Sequence, residues 1–325
     1  MTATLPYLDE ADVFGLVPFA DAVAALAKAL SGGLDPQASL QRSIHDVQHG
    51  QLLLMPAETA TAVGVKLSTV APGNSGRGLP RIQALYVLYD RVTLTPVALL
   101  DGTALTTLRT PAVSAVAVDH LAAPEARHLV VLGSGPQAWG HVQALRTVRP
   151  LSDVTVVGRD PDRAAALVAK VRDSGLDARV GSHDDVADAD VLVCATTARQ
   201  PLFDGRRLRP GTCAVAVGSH EPDARELDDA TIGAAERVVV ESRRVALREA
   251  GDIIQAVRAG AVGKDNLIEL RDAVRLAPTT NSSVFKSVGM GWQDLVVADL
   301  AHQRWTERGH ASRAGGPRRP RSLTR

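Results

Sequence analysis

The stretch HLVVLGSGPQAWGHVQAL, residues 128–145, decides the fold. An apolar run that reads as a buried strand passes straight into Gly133-Ser134-Gly135-Pro136-Gln137-Ala138, a G-x-G-x-x-A pattern, and helical spacing follows. Each small residue has a physical task in such a turn. Gly133 permits the tight bend, Gly135 lets the backbone approach a pyrophosphate, and Ala138 keeps the helix close to the sheet while its N-terminus faces the anion. An incidental turn could carry the same letters, but the strand before it and the helix after it make this a dinucleotide loop. Gly133, Ser134, Gly135, Pro136 and Gln137 are therefore expected around the cofactor phosphates.

Downstream, DVTVVGR, DRAAALVAKVRDSG, ADVLVCATT and GTCAVAVGS alternate strand and helix, the signature of a doubly wound, Rossmann-type parallel sheet covered on both faces. The second strand ends in Gly158-Arg159-Asp160, where NAD-selective folds usually carry an acid for the ribose. Glycine leaves room for a 2′-phosphate and Arg159 supplies a forked guanidinium, so NADP is favoured over NAD. Against this, Asp160 could reach the ribose, or Asp160 or Asp162 could simply cap the next helix beside a solvated Arg159.

Upstream the rhythm differs. Ala11–Leu30 has helical spacing that ends before Gly32-Gly33, and Gln51–Leu100 contains four short apolar runs (LLLM, VGVKLSTV, IQALYVLY, PVALL) separated by turn residues. Pro111–Leu121 reads as a helix with proline in its first turn. The last periodic segment, Val284–Trp305, is amphipathic and could return to this first half, so the whole is α/β with an added α+β unit. The break falls near Ala122–Arg127.

Composition narrows the function classes. With 45% hydrophobic and 22% charged residues the 325-residue chain is long enough for two cores. The net charge is zero, but the segment Gly309–Arg325 has five arginines and no acid, which leaves the rest at −5 and argues against a nucleic-acid-binding body. That segment is expected to be a disordered tail. Cys194 and Cys213 lie inside apolar runs, with no Cys/His metal spacing, and read as buried strand residues. No apolar run reaches membrane-spanning length and Met1–Asp12 lacks a signal-peptide layout, so a cytoplasmic protein is expected.

Few residues can carry chemistry. In GVKLSTV, Lys66 shares a strand face with Ser68, opposite Val65 and Leu67, and could bind a carboxylate or move a proton; a solvated strand face is the ordinary alternative. Arg109 and Thr110 stand just before the helix expected from Pro111, where free N–H groups favour an anion; a capping threonine beside an exposed arginine is equally compatible. His220 and Glu221 follow GTCAVAVGS, at the carboxyl end of a parallel strand where ligands bind, which makes His220 a candidate acid or base. His45, His49, His120, His141, His183 and His302 share no spacing and read as structural or exposed, and Arg42 has no local motif.

Five segments, LPRIQALYVLYD, LLDGTALTTLRTPAVSAVAVDHLA, LGSGPQAWGHVQAL, VGSHEPDARELD and VFKSVGMGWQDLVVADLA, resemble the ornithine cyclodeaminase and mu-crystallin family, from the opening helix to about Trp305. The resemblance implies a substrate and dimerisation domain over residues 1–122, completed by 284–308, and a Rossmann domain over 123–283. It implies a homodimer and a small-molecule amino-acid or cyclic-imine substrate whose carboxylate is bound by Arg42, Lys66 and Arg109. Thr110 would meet the cofactor phosphates, and Thr196, Val217, Gly218 and Ser287 would line the nicotinamide pocket. Ornithine cyclodeaminases carry an aspartate where this chain has His220, and an acid in the strand before Met55-Pro56 is replaced by Leu53. A histidine cannot pair with a distal ammonium as a carboxylate does. The resemblance therefore points to an NAD(P)H-dependent imine or ketimine reductase, or amino-acid dehydrogenase, with Lys66 and His220 catalytic. Cyclodeamination through Glu221 and a non-catalytic NADP-linked binding protein are the alternatives.

Overall fold

The computed structural model describes residues 5–314, built around two sheets. The chain opens with β1 (Tyr7–Leu8) and two helices, α1 (Glu10–Leu16) and α2 (Phe19–Ser31). The single helix expected over Ala11–Leu30 is thus two, meeting at 71°. Pro18 is the cause: it holds Val17 out of the helical region and becomes the N-cap of α2. The helix still stops at Gly32, as the Gly32-Gly33 pair implies.

Five more strands follow: β2 (Ser43–Val47), β3 (Gly50–Glu58), β4 (Ala62–Val70), β5 (Ile82–Asp90) and β6 (Pro96–Asp101). They form a six-stranded sheet in the order β1-β6-β5-β4-β3-β2, antiparallel except where β1 joins β6. The four apolar runs are β3 to β6. β1 and β2 gave no such signal, because one is two residues long and the other is exposed along its whole length.

Along β4 the alternation of side chains puts Ala62, Gly64, Lys66 and Ser68 on the buried face, whereas Val63, Val65 and Leu67 lie half-buried on the other. The polar residues are therefore inside.

The largest departure from the expected layout is α3 (Gly102–Leu121). It starts nine residues before Pro111, capped by Asp101, whose side chain accepts from the amides of Thr103 and Ala104. Arg109 and Thr110 are consequently mid-helix rather than at an N-terminus. Pro111 sits in the helix interior, where it removes one backbone hydrogen bond. The small residues around it make that position useful. Gly140 comes so close that a Cβ there would lie 2.6 Å from Pro111 Cγ and 3.1 Å from the Thr107 carbonyl. The carboxyl end of α3 is closed by Arg149, which donates to the carbonyls of Val118, Asp119 and Ala122.

The parallel sheet comprises β7 (His128–Leu132), β8 (Asp153–Val157), β9 (Asp177–Val180), β10 (Val191–Cys194), β11 (Cys213–Ala216), β12 (Arg237–Val240), β13 (Leu267–Glu269) and β14 (Ser283–Lys286). Their order is β13-β12-β14-β11-β10-β7-β8-β9, all parallel. The strand order reverses between β7 and β10, the position where doubly wound sheets bind ligands. Helices α4 (Pro136–Leu145), α5 (Pro161–Asp173), α6 (Asp229–Gly233), α7 (Arg243–Glu249), α8 (Gly251–Arg258) and α9 (Leu270–Ala273) lie among these strands in the chain. Cys194 and Cys213 are buried in β10 and β11 without a disulfide, as expected.

The returning segment begins later than residue 284. Ser283–Lys286 is a fully buried strand between β11 and β12, and the helix α10 (Gly291–Ala314) starts only after the Gly289-Met290-Gly291 turn. A short apolar run such as Val284-Phe285 suits strand and helix alike, which is why periodicity merged the two. α10 packs against α2, α3 and the inner face of β3, β4 and β5. It extends to Ala314, six residues into the segment expected to be disordered; residues 315–325 of that tail lie outside the described residues.

The α3–α4 contact sets up a test. Gly140→Val should destabilise the protein by about 1–3 kcal/mol, since the added methyls meet Pro111 and backbone, and lower its urea midpoint. An unchanged midpoint would mean that the two helices are free to separate.

Candidate active site

At the carboxyl end of β7, Gly133 adopts φ +125°, and any Cβ there would meet the Ala195 carbonyl oxygen at 2.5 Å. Gly135 caps α4 without a side-chain hydrogen bond, and no atom lies within 4 Å of the place its Cβ would occupy. The loop thus offers uncapped helix N–H groups beneath open space, which fits a pyrophosphate. Gln137 donates to the carbonyl of Thr106 on α3 while its buried Oε1 has no partner. Thr110 lies one turn further along the same face of α3.

The end of β8 separates the two possible roles of its acid. Asp160 accepts from the amides of Asp162 and Arg163 and caps α5, so its carboxylate is already engaged. Arg159 is exposed and forms no hydrogen bond or ion pair among the described residues. Gly158 packs against Ser134 and Ala164, where a Cβ would lie 3.2–3.3 Å from their side chains, a tight fit.

At the ends of β10 and β11, one buried acid organises the backbone. Glu226 accepts from the Thr196 amide (2.8 Å), the Thr196 hydroxyl (2.7 Å) and the Gly218 amide (2.7 Å). Gly218 has no space for a Cβ, which would run into the Thr196 carbonyl and Glu226. Burial pushes the Glu226 carboxyl up to about 7 even though Lys286 and these three donors favour its charged form. Lys286 is itself wholly buried, paired with Asp252 at 2.9 Å and donating to the Ser219 carbonyl. Val217 is half-buried next to Gly218. Ser287 donates to Glu241, which also accepts from the amides of Val288 and Gly289 and from Gln293.

Arg42, Lys66 and Arg109 come together although 67 residues separate the first from the last in sequence. Arg42 reaches from the loop before β2 to Glu249 and to the Val288 carbonyl. Lys66 on β4 donates to both oxygens of Asp294 at 2.9 Å and to Thr106 at 3.0 Å. Arg109 on α3 donates to Asp294 (3.2 Å) and Gln293 (2.8 Å). Its guanidinium lies flat against Gly289, whose φ is +78° and whose Cβ would sit 2.7 Å from Nη1. Burial, Arg109 and Arg42 bring the Lys66 ammonium down to about 8 while Asp294 holds it up. His220 lies within electrostatic reach of Arg42 and Glu249. Its pKa is lowered, first by burial and then by Arg42, so the ring is held toward its neutral form.

Glu221 turns away instead, into an exposed ion pair with Arg199 at 2.5 Å. His141 is buried against the Gln137 carbonyl and Ser114, with its pKa driven to about 4 by burial, a core histidine behind the phosphate loop. No cluster of three or more metal-ligating side chains occurs among the described residues.

Residues 16–309 match the ornithine cyclodeaminase/mu-crystallin family model. The chain belongs to this family. It is 36% identical over 272 residues to a Delta(1)-pyrroline-2-carboxylate reductase of Bacillus cereus, covering 80% of this chain and 83% of that one. It is 33% identical to the ketimine reductase mu-crystallin of Rattus norvegicus, covering 89% and 91%. Among solved structures, the Delta(1)-pyrroline-2-carboxylate reductase of Thermococcus litoralis, in complex with NADH and L-proline, superposes with a TM-score of 0.89 at 30% identity, covering 94% of this chain and 98% of that one.

For this member of the ornithine cyclodeaminase/mu-crystallin family, sequence reasoning missed the acids. Asp294, Glu249, Glu241 and Glu226 are all buried, and each holds a residue that the sequence did mark as functional. A signal existed for one of them: Gln293-Asp294 interrupts the apolar face of α10, and acids are seldom fully buried unless paired.

Glu226 gives a test by pH. Its carboxyl is raised from 4.5 to about 7, so the folded protein binds the proton more tightly than the unfolded chain does. This contribution therefore falls as pH rises from about 4.5 to 7. Urea midpoints across that range should decline more steeply for the wild type than for Glu226→Gln, and parallel curves would contradict the assignment.

Proposed function

We propose that the protein is an NAD(P)H-dependent reductase of imines that carry an α-carboxylate, of the pyrroline- or piperideine-2-carboxylate type, working equally in reverse as an amino-acid dehydrogenase. The observation that carries this reading is the convergence of Arg42, Lys66 and Arg109 in one largely buried cluster, with His220 within electrostatic reach of Arg42. Three cations so placed bind an anion, and a guanidinium suits a carboxylate's geometry.

When bound, the reduced nicotinamide supplies the hydride for the imine carbon. The chain's own residues do the rest. The phosphate loop from Gly133 to Gln137 and Thr110 hold the diphosphate, and Thr196, Val217, Gly218 and Ser287 form the wall of the nicotinamide pocket. Arg42, Lys66 and Arg109 fix the carboxylate and with it the position of the C=N group, so that the reaction proceeds from one oriented pair. Lys66 gives a proton to the imine nitrogen, which becomes the amine, and regains one from water. His220 is unsuited to that step because its environment favours the neutral ring; it hydrogen-bonds to the nitrogen.

Arg159, free at the end of β8, supports NADP over NAD, and the commitment of Asp160 to its helix cap supports it further. Cyclodeamination loses its last candidate group, since Glu221 is bound to Arg199 and positions 53 and 220 are leucine and histidine. Residues 1–122 with the returning helix from Gly291 serve as the substrate and dimerisation domain. The outer face of the six-stranded sheet supports this: Leu54, Val63, Val65, Leu67, Leu85 and Val87 leave an apolar surface half-covered, suited to a second copy of the chain. Sedimentation equilibrium should return twice the chain mass, and a monomer at micromolar concentration would refute that assembly.

The enzymatic reading is checked by nicotinamide absorbance with NADPH or NADH and a panel of cyclic imine carboxylates. Steady oxidation is expected, faster with NADPH, with the preference reduced at least tenfold in Arg159→Ala. Because the ammonium form of Lys66 is the active one, kcat/KM should fall as pH rises through about 8. Cofactor binding without oxidation of any substrate on the panel would sink the proposal.

A further inference from the structure

The three cations are not alone in their cluster: an acid, Asp294, is hydrogen-bonded to two of them. Asp294, on the first turn of α10, is wholly buried. Both its oxygens accept from Lys66 at 2.9 Å, and Oδ1 also accepts from Arg109 Nε at 3.2 Å. Thr106 also accepts from Lys66 Nζ, at 3.0 Å, a contact that gives way when Lys66 turns a proton to the substrate. Arg109 is held along one edge by Asp294 and at Nη1 by Gln293, which leaves Nη2 without a protein acceptor among the described residues.

We propose that Asp294 is the positioning residue of the carboxylate clamp: it locks Lys66 and Arg109 side by side and leaves that pair with a single net positive charge, matching one substrate carboxylate. The charges have two consequences. Without Asp294 the two cations would face each other at close range in a poorly solvated site, and Lys66, the only one of the two that can readily lose a proton, would lose it. Second, an arriving substrate carboxylate meets a pair whose geometry is already set, so that little ordering is left to accompany binding.

Other charged groups near Lys66 do not perform this task. Arg42, on the loop before β2, opposes the Lys66 charge, as does Arg109 on α3. Glu249 on α7 is engaged by Arg42 and Arg248. Tyr86 on β5 is the cross-strand neighbour of Lys66, but its phenol is buried, without a hydrogen-bond partner, and pushed well above its ordinary pKa. Met55, the neighbour on β3, carries no charge. Asp294 is thus the group that sustains the Lys66 ammonium from the helix side.

This inference rests on the reductase reading for its kinetic test but not for its binding test. In Asp294→Asn the alkaline limb of kcat/KM should move to lower pH by at least one unit, and KM for the imine should rise tenfold or more while the Kd for NADPH stays within twofold. A limb that stays in place with an unchanged KM would overturn the proposal. Asp294→Glu keeps the charge and serves where the asparagine variant does not fold. Its limb should remain near that of the wild type while kcat falls at least tenfold through misplacement of Lys66, and wild-type kcat would overturn the positioning role.

The binding test uses calorimetry of pyrrole-2-carboxylate, a planar carboxylate with no C=N bond to reduce, on the NADPH-loaded protein near pH 8 in two buffers of different ionisation heat. Binding should be accompanied by proton uptake that is larger in Asp294→Asn than in the wild type, because more Lys66 starts out neutral. Equal uptake would overturn the proposal. This result stands even where the wild type reduces no imine on the panel, so failure of the reductase reading and failure of the Asp294 role are told apart.

Discussion

Burying a cation is costly unless an opposite charge accompanies it, and this protein buries Lys66 and Arg109, and half-buries Arg42, in one cluster. The cluster is possible only because Asp294 and Glu249 stand within it. The ion pair between Lys66 and Asp294, both almost fully removed from solvent, joins the six-stranded sheet to the last helix, and the bond from Asp294 to Arg109 adds α3. Removing one partner of such a pair typically costs about 3–5 kcal/mol, because the other charge is left buried alone. The same contacts that keep α10 in place therefore keep the clamp in shape.

The segment from Ser287 to Asp294 carries this coupling to the second sheet. It leaves the parallel sheet at β14, is caught by Glu241 through Ser287, Val288 and Gly289, and enters α10 with Gln293 bridging Glu241 and Arg109. Gly289 and Gly291 let the turn lie against the Arg109 guanidinium on one side and the carbonyls of Met55 and Pro56 on the other. A side chain at either position would push a cation or a strand aside. One hydrogen-bonded chain thus spans the proposed nicotinamide wall and the proposed carboxylate clamp, which places the two reacting partners in a common frame.

Patterns that repeat along the chain were legible in the sequence, and contacts between distant segments were not. The G-x-G-x-x-A loop, the four inner strands of the first sheet and the buried cysteine strands all reflect local spacing and appear where expected. Errors arose where a local rule competed with a tertiary one. Pro111 reads as a helix start, yet the cap is Asp101, and burial of nearly the whole helix tolerates a proline in its interior. Val284-Phe285 fits a helical period, yet a gap between β11 and β12 turns it into a strand. Lys66 sits on the face expected to carry the polar residues, but that face is the interior. The acids that hold the clamp could not have been assigned to it, because Asp294 lies 228 residues from Lys66.

His220 and Leu53 narrow the chemistry further. Leu53 is buried on the same face of β3 as Met55, and Met55 is the cross-strand neighbour of Lys66, so this side of the cluster is apolar. His220 is kept toward its neutral state by burial and by Arg42. Neither group can pair with a second ammonium, and Glu221, next to His220 in the chain, is bound to an exposed arginine. A substrate with a distal amine would bring a charge into this site with no partner, at a cost of several kcal/mol, whereas a compact ring with one carboxylate brings only the charge that the proposed clamp of Arg42, Lys66 and Arg109 would accept. The selectivity of the proposed site thus comes as much from the charges it lacks as from the three it holds.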